Sequence, residues 1–397
     1  MKKIYYGRAV YNKKEINAVL NVLKNKSLSL IDGENVKKLE KTVSKIFGKK
    51  YGLMVNSGSS ANLLGLSSFN FKKGSEVITP NLTFSTTVAP IYQLGLIPHF
   101  VGVEENKFVA DYRHIEKCIN KKTVAIMIPN LLGNIANWKK ISQIAKKYKL
   151  KVIEDSADTI GYSVDKKNTG KYSDIVTNSF YASHIINGAG TGGIVCFNDY
   201  NLYEKAKLLR GWGRSSATFN ESESVNKRFN IKISGIDYDA KYVFSEMGYN
   251  FLPSEISAAF ALEQIKKLKN NIKIRNRNFS RLTSFFKKYG NLFKLPEKYE
   301  GVNTPWLAYP LVIKKNKIFN RKKLQIYLEN NNIQTRTIFT GNILKQPVMK
   351  NKKFKNHKNC NTVADDVMKN GILIGCHQGM NISDINFICK KFHKFIN

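Results

Sequence analysis

Short β-rich runs alternate with helical patterns between about residues 52 and 200, which predicts an α/β fold built on a mainly parallel sheet. The runs Glu76–Thr79, Thr123–Ile128 and Lys151–Glu154 are the clearest strands, and 137–149 is a helix between two of them. The 397 residues exceed what one small core organises, and the last hundred or so change texture. There, a strand at Tyr309–Ile313 is followed by helices at Arg321–Asn330 and Ile382–Phe395, the pattern of a smaller α+β domain. The boundaries expected are 1–255 for the large domain and 256–397 for a connecting helix and the small domain. The helical stretch Glu255–Lys287 links them. Helices at 12–26 and 34–47 come first, the former expected to pack on the small domain. Residues 214–246 read as a polar surface insertion and a candidate lid.

Composition excludes several classes. With 42% hydrophobic and 24% charged residues, the chain is ordinary globular protein rather than a disordered or fibrous one. No apolar run is long enough for a membrane span, and the N-terminal residues lack a signal-peptide core. The five cysteines are scattered without CxxC spacing, which fits a reducing cytoplasm and no metal site. The formal charge of +36 is spread along the whole chain as lysine pairs, so nucleic acid is not the expected partner. An anionic small molecule is compatible with such a surface.

In an open α/β sheet, ligands sit at the carboxyl ends of the strands, and three motifs fall there. Asn56-Ser57-Gly58-Ser59-Ser60 follows a strand and opens a helix. Gly58 permits the turn, and the amides and hydroxyls of Ser59 and Ser60 suit a phosphate. Taken singly, such a sequence is usually only a helix cap. Val152-Ile153-Glu154-Asp155-Ser156-Ala157-Asp158 ends a buried strand in carboxylates, which are either a cap or the partner of a cationic ring nitrogen. Ser179-Phe180-Tyr181-Ala182-Ser183-His184 leads into Gly188, Gly190, Gly192 and Gly193, where backbone can approach a ligand closely.

Together, at these spacings, the motifs resemble the PLP-dependent nucleotide-sugar aminotransferases of the DegT/DnrJ/EryC/StrS type, over nearly the whole chain. The resemblance implies the fold-type I aminotransferase architecture. In that family, Ser-Phe-x-x-x-Lys supplies the lysine that holds the cofactor covalently. Here the position four residues after Phe180 is His184, and no lysine occurs between Lys171 and Lys205. Imidazole cannot form that link but can move a proton, as its ordinary pKa is near neutral. The site therefore suits pyridoxamine 5'-phosphate (PMP), alternating with PLP, bound without a tether.

A histidine at this position is similar to the sugar 3-dehydratase branch of the family. Asn130-Leu131-Leu132-Gly133-Asn134, Arg210-Gly211-Trp212-Gly213-Arg214, Gly248-Tyr249-Asn250, Thr340-Gly341-Asn342 and His377-Gln378 extend the likeness. Ile185-Ile186-Asn187-Gly188-Ala189 departs from the family's stretch after the histidine. One member of the branch carries a cysteine-ligated iron–sulfur cluster. Residues 214–246 contain no cysteine, so no cluster is expected.

The resemblance implies roles residue by residue. Ser59, Ser60 and Ser179 hold the cofactor phosphate beside Gly58. Phe84 stacks on the ring, Asp155 pairs with its nitrogen, and Asp158 lies near its hydroxyl. His184 is the catalytic base, and Asn250 reaches the phosphate of a neighbouring subunit, which implies a homodimer. The implied activity is C3 dehydration of a nucleotide-linked 4-keto-6-deoxy hexose, with L-glutamate restoring PMP. The alternatives are an ordinary sugar aminotransferase and an inactive PLP- or nucleic-acid-binding regulator.

Overall fold

A computed structural model describes residues 3–25, 29–218 and 224–397. Its centre is an eight-stranded sheet. The strands are β1 (Tyr51–Val55), β2 (Glu76–Pro80), β3 (Ile97–Val101), β4 (Thr123–Pro129), β5 (Lys151–Asp155), β6 (Ile175–Ser179), β7 (Gly193–Phe197) and β8 (Lys355–Asn356). The order across the sheet is β1-β7-β6-β5-β4-β2-β3-β8, and only β7 runs antiparallel to its neighbours. The expected α/β class with a mainly parallel sheet is what the chain adopts. Helices cover both faces, so strands such as β4 are buried nearly end to end and read as continuous apolar runs. The apolar residues on the two faces form separate cores: Val36, Leu39, Ile126, Ile128 and Val176 on one, Leu53, Leu64, Met127, Ile153 and Val195 on the other.

The C-terminal region has its own antiparallel sheet of Phe293–Lys294, Tyr309–Ile313 and Gly371–Ile374. It packs on Phe286 and Phe392 from two long helices. The expected single helix Glu255–Lys287 is two, Glu255–Lys266 and Leu268–Phe286. They abut at Lys267, whose amide turns back to Gln264 and Ile265 instead of continuing the α ladder. Sequence periodicity could not show this, since no glycine or proline marks the junction.

The first helix, Lys13–Lys24, opens with a capping box between Asn12 and Glu15. It lies against the helix Glu255–Lys266, where buried Glu15 accepts from Gln264 (2.5 Å) and Lys267 (2.6 Å). Just before it, Ile4 pairs with Ile333 of the small domain. Within 214–246 the described residues form the short helix Val225–Phe229 and a hairpin of Ile231–Ile233 with Ile236–Tyr238, all largely exposed. Residues 219–223 of the expected insertion fall outside the described residues. No helix among the described residues is long and apolar enough to cross a membrane.

The edge strand β8 comes from the small domain and adds to β3 of the large one. Buried Glu76 sits beneath it and takes Lys355 (2.6 Å), Asn120 (2.7 Å) and, at 3.5 Å, His99. Beside it, the rings of His114 and His357 stack at 4.2 Å. Burial lowers the pKa of both imidazoles, and for His357 the charge of His114 adds to that. A depressed folded pKa means the unfolded chain binds protons more readily. This strap therefore contributes its stability above about pH 6.5 and loses it as the pH falls. We predict that the denaturation midpoint drops between about pH 8 and pH 5, and that His357→Asn flattens this dependence. An unchanged slope in the variant would remove the stacked pair from the account.

Candidate active site

A cavity of about 370 Å³ opens at the carboxyl ends of β1, β4, β5 and β6. Ser57, Gly58 and Ser59 line one end, Asp155 and Asp158 the floor, and Ser179, Ser183 and His184 a side. Phe84 lines it too, half exposed and edge-on to Phe339 at 5.8 Å. Thus Gly58, Ser59, Phe84, Asp155, Asp158, Ser179 and His184 converge, although they span more than a hundred residues of sequence.

Asp155 is the last residue of β5 and is 4% exposed. Its Oδ2 accepts from Asn62 Nδ2 and Thr87 Oγ1, both at 2.8 Å, and its Oδ1 from the Ala157 amide at 3.1 Å. All three donors are neutral, and no cation of the described residues pairs with it. Burial raises its pKa against the pull of those three hydrogen bonds. A carboxylate so placed is stabilised by a cation entering the cavity.

The helix Gly58–Ser67 points its N-terminus at the same cavity. A Cβ on Gly58 would lie 2.5 Å from Ser179 Cβ, so only glycine lets these two segments meet. Ser60 is placed differently from the expectation. Its amide donates to Ser57 Oγ at 3.1 Å, making the helix cap, and it does not line the cavity. Ser57 takes that place beside Gly58 and Ser59.

His184 stands where the loop after β6 turns. Its Nδ1 lies 3.3 Å from the Ser179 carbonyl, which can only accept, so the proton resides on Nδ1 and Nε2 is bare. The ring also meets Tyr181 edge-on at 5.7 Å. The near-neutral pKa expected from the sequence is corrected: burial first, and then the charge of Arg275, lower it to about 4, against the Ser179 hydrogen bond. His184 is therefore a free base throughout the neutral range. The divergent stretch after it closes through Ala189 in a left-handed conformation (φ 55°) and Gly192 (φ 121°). Gly192 returns its amide to Asn56, which ties the His184 loop to the Ser57–Ser59 loop.

Asp158 accepts from the Leu132 amide at 2.8 Å, and burial pushes its pKa up to about 7, with Asp155 adding repulsion. Leu132 has φ 60°, unusual for leucine. Asn130 holds that turn by donating to Glu154 (2.9 Å) and Ser156 (2.8 Å) and accepting from Trp138 Nε1 (2.9 Å). Asn250 is not in this cavity. It is exposed and pairs with Gly211.

The sequence did not single out Tyr6, Leu307 or Phe339, which also line the cavity. Each arrives from outside the strand–helix region, with no motif to mark it. Asn62 lies two residues past the Ser57–Ser60 motif and Thr87 three past Phe84, but their bonds to Asp155 appear only in three dimensions. Among the described residues no lysine lines the cavity.

The model of the DegT/DnrJ/EryC1/StrS aminotransferase family matches residues 10–393. The chain belongs to this family. Lipopolysaccharide biosynthesis protein RfbH of Salmonella typhimurium is 33% identical over 367 residues, which is 90% of this chain and 84% of that protein. GDP-4-keto-6-deoxy-D-mannose 3-dehydratase of Escherichia coli O55:H7 is 32% identical, covering 94% of this chain and 95% of that one. A solved GDP-4-keto-6-deoxymannose-3-dehydratase with a trapped PLP-glutamate geminal diamine superposes with a TM-score of 0.88, at 29% identity, over 98% of this chain and 99% of its own. This architecture is that of the fold-type I sugar aminotransferases, and the chain is a PLP-dependent, sugar-modifying member of its family.

The residues present fit the cofactor. The unpaired carboxylate of Asp155 suits a pyridinium nitrogen, and the helix N-terminus with Ser59 and Ser179 suits a phosphate. We predict that Asp155→Asn removes the charge while its one amide oxygen keeps the Asn62 and Thr87 donors and the Ala157 amide loses its acceptor, so the variant folds with reduced stability. Its PLP affinity should fall about 30-fold or more, the low end for truncating a buried charge pair. Native affinity by fluorescence titration would rule out the pairing.

Proposed function

We propose that this protein catalyses PMP-dependent removal of the C3 hydroxyl from a nucleotide-linked 4-keto-6-deoxy hexose. The relatives are named for GDP- and dTDP-linked sugars, of which the GDP-linked one is the substrate taken here, and L-glutamate is the amine donor that restores PMP. The observation that carries this reading is His184, bare at Nε2, at the family's lysine position in a cavity that no described lysine lines. Without a tethering amine, the site cannot use the usual resting state of an aminotransferase. PMP, when bound, supplies a free amine for the C4 ketone and a ring that accepts an electron pair.

The chain's own groups do the rest. Asp155 keeps the ring nitrogen protonated, and Gly58, Ser59 and Ser179 anchor the phosphate end. Phe84, which lines the cavity, would cover the ring face, and Asp158 would face the ring hydroxyl. His184 removes a proton at Nε2 and returns one as the C3 hydroxyl departs as water. Nitrogen leaves as ammonia, the sugar leaves as a 3-deoxy-4-keto product, and glutamate leaves as 2-oxoglutarate. Such products feed 3,6-dideoxysugar synthesis for lipopolysaccharide, which agrees with the names of the relatives.

Exposed Asn250 belongs to this reading as the residue that completes a second subunit's phosphate site in a homodimer. The nearby exposed apolar side chains Phe244 and Met247 favour a covered surface there.

Two substitutions test the role of His184. His184→Asn should lower dehydration by about 100- to 10,000-fold, the usual worth of a general base. His184→Lys should lose dehydration yet gain a borohydride-trappable bond to PLP that the native protein lacks. Near-native dehydration in His184→Asn would transfer the base role elsewhere.

A further inference from the structure

Arg275 lies in the helix Leu268–Phe286 and is completely buried. Its Nε donates to Gln378 Oε1 at 2.7 Å, and its Nη1 to the carbonyls of Trp306 (2.9 Å) and Leu307 (3.0 Å). Its Nη2 has no partner, and no carboxylate among the described residues pairs with it. Gln378 in turn donates from Nε2 to the carbonyl of Ile185, the residue after His184, at 3.3 Å. One guanidinium thus joins the small domain (Gln378), the cavity wall (Leu307) and the loop that carries the base. A buried cation without a counter-ion is destabilising, and a buried hydrophobic or amide side chain would avoid that cost. Its retention requires another role.

We propose that Arg275 is a positioning residue for His184: through Gln378 and the Ile185 carbonyl it fixes the base's loop, and its uncompensated charge adds to burial in opposing a proton on the imidazole. The surroundings support this. His184 is hydrogen-bonded to the Ser179 carbonyl and flanked by the Tyr181 ring; Asp155, Asp158 and Tyr6 line the same cavity, but among the described residues no ion pair joins an acid to His184. Beside Arg275 the titratable group is Cys376, a buried thiol held in its neutral form because burial pushes its pKa up to about 12. Burial lowers the Arg275 pKa only to about 10, so it stays charged at neutral pH. A base required to pick up a proton inside a closed site works only if it arrives unprotonated.

This inference rests on His184 being the working base, but its test needs no turnover. The titration of His184 is followed by NMR of ring-labelled histidine in the PLP-loaded protein. Its signal is identified among the six histidines as the one lost in His184→Asn. Gln378→Glu keeps an acceptor for Arg275 Nε, adds a carboxylate and gives up the donor to the Ile185 carbonyl. Arg275→Met removes the cation, and Arg275→Lys keeps it without the fork. Gln378→Glu and Arg275→Met should each raise the His184 midpoint by about one pH unit or more, with Arg275→Lys near the native value. If folded Gln378→Glu titrates like the native protein, the electrostatic role is overturned, whether or not Arg275→Met folds. If the sugar is not dehydrated but the midpoints shift as stated, the proposed reaction fails and this inference stands.

Discussion

The carboxylate of Asp155, sealed at the end of β5 with only neutral donors around it, is the constraint on which the rest of the site depends. Two of its donors come from the helices Gly58–Ser67 and Ser85–Gln93, so the charge fixes the helices that frame the cavity. The first of these helices also directs its N-terminus at the cavity. A single molecule with a cationic ring at one end and a phosphate at the other satisfies both features. Behind Asp155, Glu154 and Asn130 hold the Leu132 turn that meets Asp158. The second acid is thereby tied to the same strand end, where repulsion from Asp155 helps to keep it protonated near neutral pH.

Against that fixed acceptor, one substitution decides the chemistry. A lysine at position 184 would make the resting site covalent, whereas in the proposed reaction histidine, with Nδ1 turned to the Ser179 carbonyl, is a base beside an untethered cofactor. Burial works in opposite senses on the two groups. It raises the pKa of Asp155, so its ionised form calls for a cation, and it lowers that of His184, so the imidazole stays neutral. The segment that carries Ser179 and His184 is pinned at the Gly192 amide to the Asn56 carbonyl, beside the Ser57–Ser59 loop, so the two walls of the cavity are joined.

The parallel sheet, the small domain and the main polar residues of the cavity were legible in the sequence because they follow local rules. Strands buried on both faces are apolar throughout, and strand ends carry the ligand-facing residues. Other features depended on tertiary approach. Tyr6 reaches the cavity because the N-terminal strand pairs beside Ile333, and Leu307 and Phe339 come from the small domain. Ser60 reads as a phosphate donor in the motif, yet its amide donates to the Ser57 hydroxyl and makes the helix cap. The low pKa of His184 and the isolation of Arg275 are consequences of burial, which no spacing of residues encodes. The break at Lys267 left no trace in composition.

The central claim is that the site removes oxygen rather than installs nitrogen. A single turnover of PMP-loaded protein with a GDP-linked 4-keto-6-deoxy hexose, without glutamate, tests it most directly by mass spectrometry of the sugar and assay of free ammonia. The account predicts a 3-deoxy-4-keto sugar, about one equivalent of ammonia and cofactor left as PLP. An amino sugar retaining its C3 hydroxyl, with no ammonia released, would contradict it.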